Sequence, residues 1–169
     1  LGKGHPNYIK VSNNLASMYA ILGQYQKAEE LCLNSLELRK KILGVKHPDY
    51  ASSLNRLALI YKETWQYEKA EPLFEEALEI RKKVLAEDHP DFASSLYNLA
   101  LLNRINGKLL KADSMIQRVI AIRKKLLGIN HPDYAAAISG LGFTRSLRGL
   151  HQEAEQLYKQ ALSLNRNVF

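Results

Sequence analysis

Four histidines recur at a constant spacing and are the residues whose type and pattern most suggest metal chemistry. His5, His47, His89 and His131 are each followed by proline, and each pair lies 42 residues after the previous one. Equivalent positions on neighbouring packed helices should lie roughly 8–10 Å apart. Two nitrogens bound to one zinc ion can be only about 4 Å apart. We therefore expect no metal site and interpret the histidines as junction residues that pack against helices or cap them.

The other residue patterns give no support to catalysis. The single cysteine, Cys32, falls on an apolar helical stripe, so we expect it to act as a buried small hydrophobe. The sequence has no glycine-rich phosphate loop, no paired-carboxylate site and no nucleophile motif. We therefore expect no catalytic residue, no cofactor and no enzymatic activity.

Composition and charge narrow the class of protein further. One cysteine allows no internal disulfide, which fits a reducing compartment and an expected cytoplasmic location. The sequence contains no run of about 18 apolar residues, so we expect no membrane span. The net charge of +7 favours acidic partners.

The histidine period belongs to a repeat that fills the chain. Each His-Pro pair opens a similar segment, such as HPDYASSLNRLALIY and HPDFASSLYNLALLN. In the first three copies an RKK triplet follows 34 residues after the histidine, and the last copy has NRNVF near that place. Residues 1–4 match the end of a repeat, so we expect the chain to be part of a longer array. The predicted division is a tail of a preceding repeat at 1–4, then repeats at 5–46, 47–88, 89–130 and 131–169, forming one continuous domain.

The pattern of apolar residues predicts two helices in each repeat. In the second copy Leu54, Leu57, Ala58 and Tyr61 form the apolar stripe of an amphipathic helix. A turn is predicted near 64–66, followed by a second and longer helix that runs to about residue 85. Small residues on both stripes should let the helix backbones approach closely.

The turn between the two helices carries glycine in three copies and tryptophan in the other. Gly23, Gly107 and Gly149 fit a helix that ends in a left-handed residue. Trp65 takes this place in the second copy. Our preferred interpretation is a locally altered turn with the ring lying on its own helices, and the alternative is a contact point for a partner.

The RKK triplets divide into inward and outward positions. At 100° per residue Arg81 falls on the side of Phe74 and Ala77, whereas Lys82 and Lys83 point away. We predict that the arginines, including Arg39 and Arg123, are structural and bond a backbone carbonyl or an acid such as Asp91. The lysines are predicted to be solvated, and a nucleic-acid surface is disfavoured because interleaved aromatic residues are missing.

These motifs together resemble a known repeat family. The stripe L-x-x-L-A-x-x-Y, followed by glycine, an aromatic residue, alanine and a spaced F/Y-x-x-A, resembles the tetratricopeptide repeat. The 42-residue length, HPD before the first helix and L-E-I-R-K-K-V-L at the end of the second are similar to the kinesin light chain type. The resemblance implies an all-α fold, a right-handed α-solenoid of four tandem helix-turn-helix repeats.

In such repeats the first helices line a concave groove, so the outward positions of these helices are the candidate site. The resemblance implies a groove that receives short acidic peptide segments with an apolar anchor. Asn55, Arg56, Asn98 and Arg104 are the leading contact candidates, and Leu59, Leu101 and Phe143 are predicted to be exposed, the two leucines forming an apolar floor. The full predicted groove consists of Lys10, Asn13, Asn14, Asn55, Arg56, Leu59, Lys62, Tyr97, Asn98, Leu101, Arg104 and Phe143.

Two functions of different classes remain open at this point. The first is a scaffold or adaptor that binds protein or peptide partners in the groove, with no membrane association. The second is an architectural spacer or self-assembly array, in which copies associate end to end. A third and more remote function is a regulatory array attached to an enzyme.

Overall fold

The fold over the described part of the chain is all-α. The computed structural model describes residues 6–166, and this range contains eight α-helices and no strand. The predicted tail at 1–4, His5 and residues 167–169 lie outside the described residues. The helices are α1 Pro6–Ile21, α2 Tyr25–Leu43, α3 Pro48–Glu63, α4 Tyr67–Val84, α5 Pro90–Ile105, α6 Leu109–Leu127, α7 Pro132–Leu147 and α8 His151–Arg166. The predicted all-α helix-turn-helix repeats are confirmed.

The repeated histidines cap the first helices. In α3 the Nδ1 atom of His47 accepts a hydrogen bond from the backbone N–H of Asp49 at 3.1 Å. His89 and His131 make the same bond at the starts of α5 and α7. The following proline occupies the first helical turn, where its missing N–H costs no hydrogen bond. The predicted capping role is confirmed for these three histidines.

Removing one histidine cap should cost a moderate amount of stability. We expect His47→Ala to lower the free energy of unfolding by about 1 kcal/mol, because one helix N–H loses its acceptor. His47→Asn, which keeps a side-chain acceptor, is the matched control and should lose much less. Urea denaturation followed by circular dichroism measures both, and equal losses in the two variants would contradict the capping role.

The chain divides into two compact units, Leu1–Leu85 and Ala86–Phe169. Unit 1 contains α1–α4 and unit 2 contains α5–α8, so each unit holds two helix pairs. In each unit the two helices of a pair pack together, and the second helix of the first pair also packs against the first helix of the next. The predicted repeat boundaries stay a prediction.

The core of unit 1 consists of buried side chains from all four of its helices. Phe74 and Leu54 are its largest fully buried side chains, and Ala58, Ala70 and Ala77 have no exposed surface. Burial raises the pKa of the Cys32 thiol to about 11. The prediction that Cys32 is a buried small hydrophobe is confirmed, because such a thiol stays protonated and unreactive at neutral pH.

At equivalent positions of the two units, a hydrogen bond in unit 1 is replaced by an ion pair in unit 2. In unit 1 the hydroxyl of Tyr61 donates to Oε1 of Glu29 at 2.8 Å, and burial together with this bond raises the pKa of Tyr61 to about 12. In unit 2 the equivalent positions are Arg145 and Asp113, whose Nε and Oδ2 atoms lie 3.3 Å apart. Both pairs join the second helix of one repeat to the first helix of the next.

The arginines of the RKK triplets are structural. Arg39 donates to the backbone carbonyl of Asp49 at 2.7 Å and to Ser53 Oγ at 2.9 Å. Arg123 donates to the backbone carbonyl of Asp133 at 2.8 Å, and Arg81 is buried and donates to Ser52 Oγ. The flanking lysines are exposed. The predicted separation of inward arginines from outward lysines is therefore confirmed.

The turns confirm one expectation and correct another. Gly23, Gly107 and Gly149 have φ values of 71°, 74° and 78°, as predicted for left-handed residues. Trp65 has a φ of 62° in the equivalent turn, so this turn is not altered. The side chain is 79% exposed, so the prediction that its ring lies on its own helices is wrong.

Candidate functional site

The predicted groove residues occupy two surfaces, one in each unit. The first lies on α1 and α3, and the second lies on α5 and α7. We define the α1–α3 surface as Lys10, Asn14, Ser17, Asn55, Arg56, Leu59 and Lys62, and the α5–α7 surface as Tyr97, Asn98, Leu101, Arg104, Ser139, Gly140 and Phe143.

Arg56 joins the two helices of the α1–α3 surface. Its guanidinium donates to Ser17 Oγ, which in turn donates to the backbone carbonyl of Asn13 at 3.1 Å. Lys10 and Asn14 are exposed beside this contact. The surface therefore presents a half-buried guanidinium between polar side chains of neighbouring repeats.

The outward position predicted for Asn13 is wrong. Its side chain is only 5% exposed, although its equivalent in the next repeat, Asn55, is half-buried. Asn13 follows Ile9 by four residues and precedes Ala16 by three, so it lies on the same face of α1 as these two residues. All three residues thus share the buried stripe of α1.

Arg104 forms the centre of the α5–α7 surface. Its Cζ atom lies 4.6 Å from the centroid of the Phe143 ring, within the range of a cation–π contact. Its guanidinium also donates to the carbonyl of Gly140 at 3.4 Å. Burial lowers the pKa of Arg104 from its usual value, and the group nevertheless remains charged at neutral pH.

Tyr97 is held in place by two contacts, and Gly140 leaves space for its ring. Its hydroxyl donates to the carbonyl of Ala136 at 3.3 Å, and Cζ of Arg123 lies 4.7 Å from its ring centroid. A methyl group at Gly140 would lie 2.6 Å from the Tyr97 hydroxyl oxygen, so only glycine leaves room for the ring in this position. Sequence reasoning missed this role of Gly140 and the second role of Arg123. A glycine inside α7 was the available signal, since it costs about 1 kcal/mol relative to alanine and needs a packing reason.

The apolar residues of the two surfaces differ in exposure from the prediction. Phe143 is 46% exposed, as predicted, but Leu59 and Leu101 are half-buried. A half-buried leucine can still form the floor of a shallow surface.

On each surface one arginine lacks an acidic partner among the described residues. Within residues 6–166, neither Arg56 nor Arg104 forms an ion pair, whereas Arg118, Arg145 and Arg148 each do so. Removing a guanidinium from water is costly unless it is paired, so each of these two arginines favours an added carboxylate.

The described residues contain neither a group that could bind a metal ion nor a helix that could span a membrane. No group of three or more histidine, cysteine, aspartate or glutamate side chains in residues 6–166 could hold a metal. None of the helices in the same range is long and apolar enough to cross a membrane.

Comparison with known proteins places this arrangement in a family. The tetratricopeptide repeat model matches residues 7–83, 53–124 and 91–167. No curated protein sequence matches the chain. Among solved structures the chain is similar to a putative kinesin light chain of Podosopora anserina with nearly identical TPR-like repeats. The two chains are 30% identical, and the match covers 99% of this chain and 79% of that one. The TM-score is 0.77 for that protein and 0.80 for a variant of it with one substituted residue.

A second solved structure supports the same assignment. BtubC (BKLC) from P. vanneervenii is 27% identical over 95% of this chain and 64% of that chain, with a TM-score of 0.84. Repeats of this family generally serve as scaffolds that bind protein partners. The chain belongs to the tetratricopeptide repeat family.

Proposed function

We propose that this protein is an adaptor that binds short, extended, acidic peptide segments of partner proteins on the first-helix surfaces. The observation that carries the proposal is the pair of half-buried guanidinium groups, Arg56 and Arg104, neither of which has an ion-pair partner among residues 6–166. A peptide carboxylate would supply that partner. Under this proposal the protein acts in the cytoplasm and catalyses no reaction.

The neighbouring side chains suit the rest of such a peptide. Asparagine side chains can donate to and accept from an extended peptide backbone, and Asn55 and Asn98 lie on the two surfaces. Leu59, Leu101 and the exposed ring of Phe143 offer contacts for an apolar anchor. The Phe143 ring is already oriented by Arg104, so less side-chain freedom is lost on binding.

Charge reversal on the two surfaces tests the proposal. We expect Arg56→Glu/Arg104→Glu to weaken binding of an acidic peptide at least tenfold, because each charge-assisted hydrogen bond contributes about 1.5–3 kcal/mol. Fluorescence anisotropy with a labelled peptide that alternates glutamate and leucine measures the affinity.

A matched variant separates local contacts from net charge. Lys40→Glu/Lys124→Glu changes the net charge by the same amount at exposed positions of the second helices. This variant should bind within a few-fold of the unmodified protein, since exposed charges are screened by salt. Unchanged affinity in the arginine variant, with its helical content intact, would defeat the proposal.

A second candidate, a self-assembling array, is favoured by one observation. Tyr8, Val11, Leu15 and Met18 of α1 are exposed, whereas three of the four equivalent positions in α3 are buried apolar side chains. A second copy of the chain could cover this stripe. Light scattering separates the two functions, because assembly through α1 would persist unchanged in the Arg56→Glu/Arg104→Glu variant.

A further inference from the structure

The side of α4 that points away from the core of unit 1 carries its charges in a regular order. Phe74, on the opposite side of this helix, has no exposed surface, whereas Glu76, Glu79 and Lys83 are exposed. At 100° per residue these three charged residues fall within an arc of about 60°, and Ile80 lies at its edge. The exposed face of α4 therefore runs from two acids, past an isoleucine, to a lysine.

An apolar hollow of about 270 Å³ lies in the same face. Its apolar lining comes from Ile80, from Val84, which is 49% exposed, and from Val45, which is 43% exposed. Its charged lining consists of Glu76, Glu79, Lys83 and Lys46. A helix rises about 1.5 Å per residue, so the acid at position 76 and the lysine at position 83 lie about 10 Å apart along the axis. The hollow thus has apolar surface between opposite charges.

The four charged groups of the hollow have no ionic partner within residues 6–166. Glu79 and Lys83 are four residues apart on one helix, a spacing at which ion pairs often form, yet these two do not pair. The charges of this face are therefore available to a partner that presents apolar surface and the opposite order of charges.

The equivalent face of α6 in unit 2 has different electrostatics. At the positions of the first acid and of the lysine, α6 carries Arg118 and Lys125, so both charges are positive. Arg118 forms an ion pair with Glu87, and Lys125 forms one with Asp88 at 2.6 Å. Acids of the same unit thus neutralise the cations of α6.

Unit 1 has no acid at the two corresponding places in the segment before α3. Val45 and Lys46 stand there instead. Because their counterparts in unit 2 form an ion pair, Lys46 and Lys83 belong to the same end of the hollow. Two cations at one end, with two acids at the other, favour a partner that brings carboxylates to the first end and cations to the second.

We propose that this face of α4 is a dimer interface, on which a second copy of the chain packs its own α4 in the antiparallel direction. A two-fold axis between Glu79 and Ile80 brings Glu76 of each copy opposite Lys83 of the other, because the two residues lie equally far from the axis. The face is therefore complementary to itself. Two equivalent ion pairs form, and the apolar side chains of both copies meet between them.

The size and symmetry of this contact determine how it should behave. One helix from each copy belongs to the class of small interfaces, below about 1,200 Å² in total, so we expect a reversible dimer. Apolar contact supplies the affinity, whereas the ion pairs set the antiparallel direction. A two-fold contact closes at two copies and does not extend into a filament. The proposed binding of acidic peptides is independent of it, so Arg56→Glu/Arg104→Glu should dimerise normally.

Sedimentation velocity over a concentration series measures the dimer. The unmodified 169-residue chain should shift from monomer towards a dimer in the high micromolar range and form no larger species. Glu76→Lys and Lys83→Glu should each weaken the dimer by roughly tenfold or more, because like charges then face each other. Lys124→Glu makes the same change in net charge at an exposed position of α6 and should dimerise within a few-fold of the unmodified chain.

Mixing the two α4 variants tests the pairing itself. In a mixed dimer the substituted position 76 of one copy faces the substituted position 83 of the other, so opposite charges meet at both sites. An equimolar mixture of Glu76→Lys and Lys83→Glu should therefore recover most of the affinity of the unmodified chain. Both positions are exposed, so circular dichroism should give each variant the melting temperature of the unmodified chain.

Three outcomes would overturn the inference. The unmodified chain could remain monomeric throughout the concentration series. The single variants could dimerise as tightly as the unmodified chain, which would place the contact on another surface, such as the exposed stripe of α1. The mixture could associate no more tightly than the separate variants, which would exclude the antiparallel pairing of Glu76 with Lys83.

Discussion

Replacing Phe74 by alanine should lower the free energy of unfolding by about 3–5 kcal/mol. Phe74 has no exposed surface and is among the largest buried side chains of unit 1. Truncation removes apolar contacts and leaves a cavity that helices on several sides cannot close. Because each repeat is supported only by its neighbours, we expect unit 1 to unfold at lower urea concentration. Urea denaturation with circular dichroism and Trp65 fluorescence measures the loss.

The repeat itself supplies the matched control. The positions equivalent to Phe74 are Cys32, Ile116 and Tyr158, so this site accepts side chains of different shape. Phe74→Ile should therefore cost no more than about 1.5 kcal/mol, because most of the apolar volume is kept. A loss for Phe74→Ala as small as that for Phe74→Ile would show that the site collapses around the cavity.

The helices and their ends could be predicted because local chemistry determines them. His47 and Pro48 mark the start of α3, and the predicted turn at 64–66 lies between the observed ends of α3 and α4. The second helix was expected to run to about residue 85, and α4 ends at Val84. Caps, prolines and left-handed glycines act within one turn of their own position, so a single sequence contains this information.

The exposure of the candidate site could be predicted only in part. A helical wheel identifies the buried stripe of one helix, but it does not contain the helices of neighbouring repeats. Leu59 and Leu101 are less exposed than expected, and Asn13 is buried. Trp65 was misjudged for a different reason, because burial is the usual fate of a large ring and the sequence does not show whether a partner surface exists within the chain.

Side-chain pairs between repeats could have been predicted from the sequence by comparing equivalent positions of the four copies. Tyr61 and Glu29 lie 32 residues apart, and so do Arg145 and Asp113. The replacement of tyrosine by arginine in the fourth copy thus accompanies an aspartate at the matching position of the preceding helix. The second pair is the basis of the next prediction.

Asp113→Asn should destabilise unit 2 by about 2–3 kcal/mol. The carboxylate is almost fully buried, accepts hydrogen bonds from Gln117 and Arg148, and forms an ion pair with Arg145. Neutralising it removes the counter-charge of Arg148, whereas Arg145 keeps its ion pair with Glu153 at 2.7 Å. Breaking a fully buried pair costs about 3–5 kcal/mol, and the expected loss is smaller because both arginines keep about a quarter of their surface exposed, at 22% and 27%. Urea denaturation of the variant measures this loss.

An exposed ion pair of the same unit provides the control for that variant. Glu155 and Lys159 form an i,i+4 pair at 2.7 Å, with both side chains mostly exposed. Glu155→Gln makes the same change from carboxylate to amide, and we expect almost no loss of stability because such exposed pairs are screened by water. Similar losses in the two variants would show that burial adds nothing to the Asp113 network.

The Asp113 network should also make stability depend on pH in the acid range. Burial raises the pKa of Asp113, but the hydrogen bonds from Gln117 and Arg148 and the charge of Arg145 outweigh it, so the pKa in the folded protein lies below its ordinary value. The resulting stability is present above the pKa of an unfolded aspartate, about 3.9, and is lost as the pH falls through the lower folded value. The difference in unfolding free energy between the unmodified chain and Asp113→Asn should therefore be constant near neutral pH and shrink below about pH 4. A difference that stays the same from neutral pH into that acid range would exclude the carboxylate charge as its source.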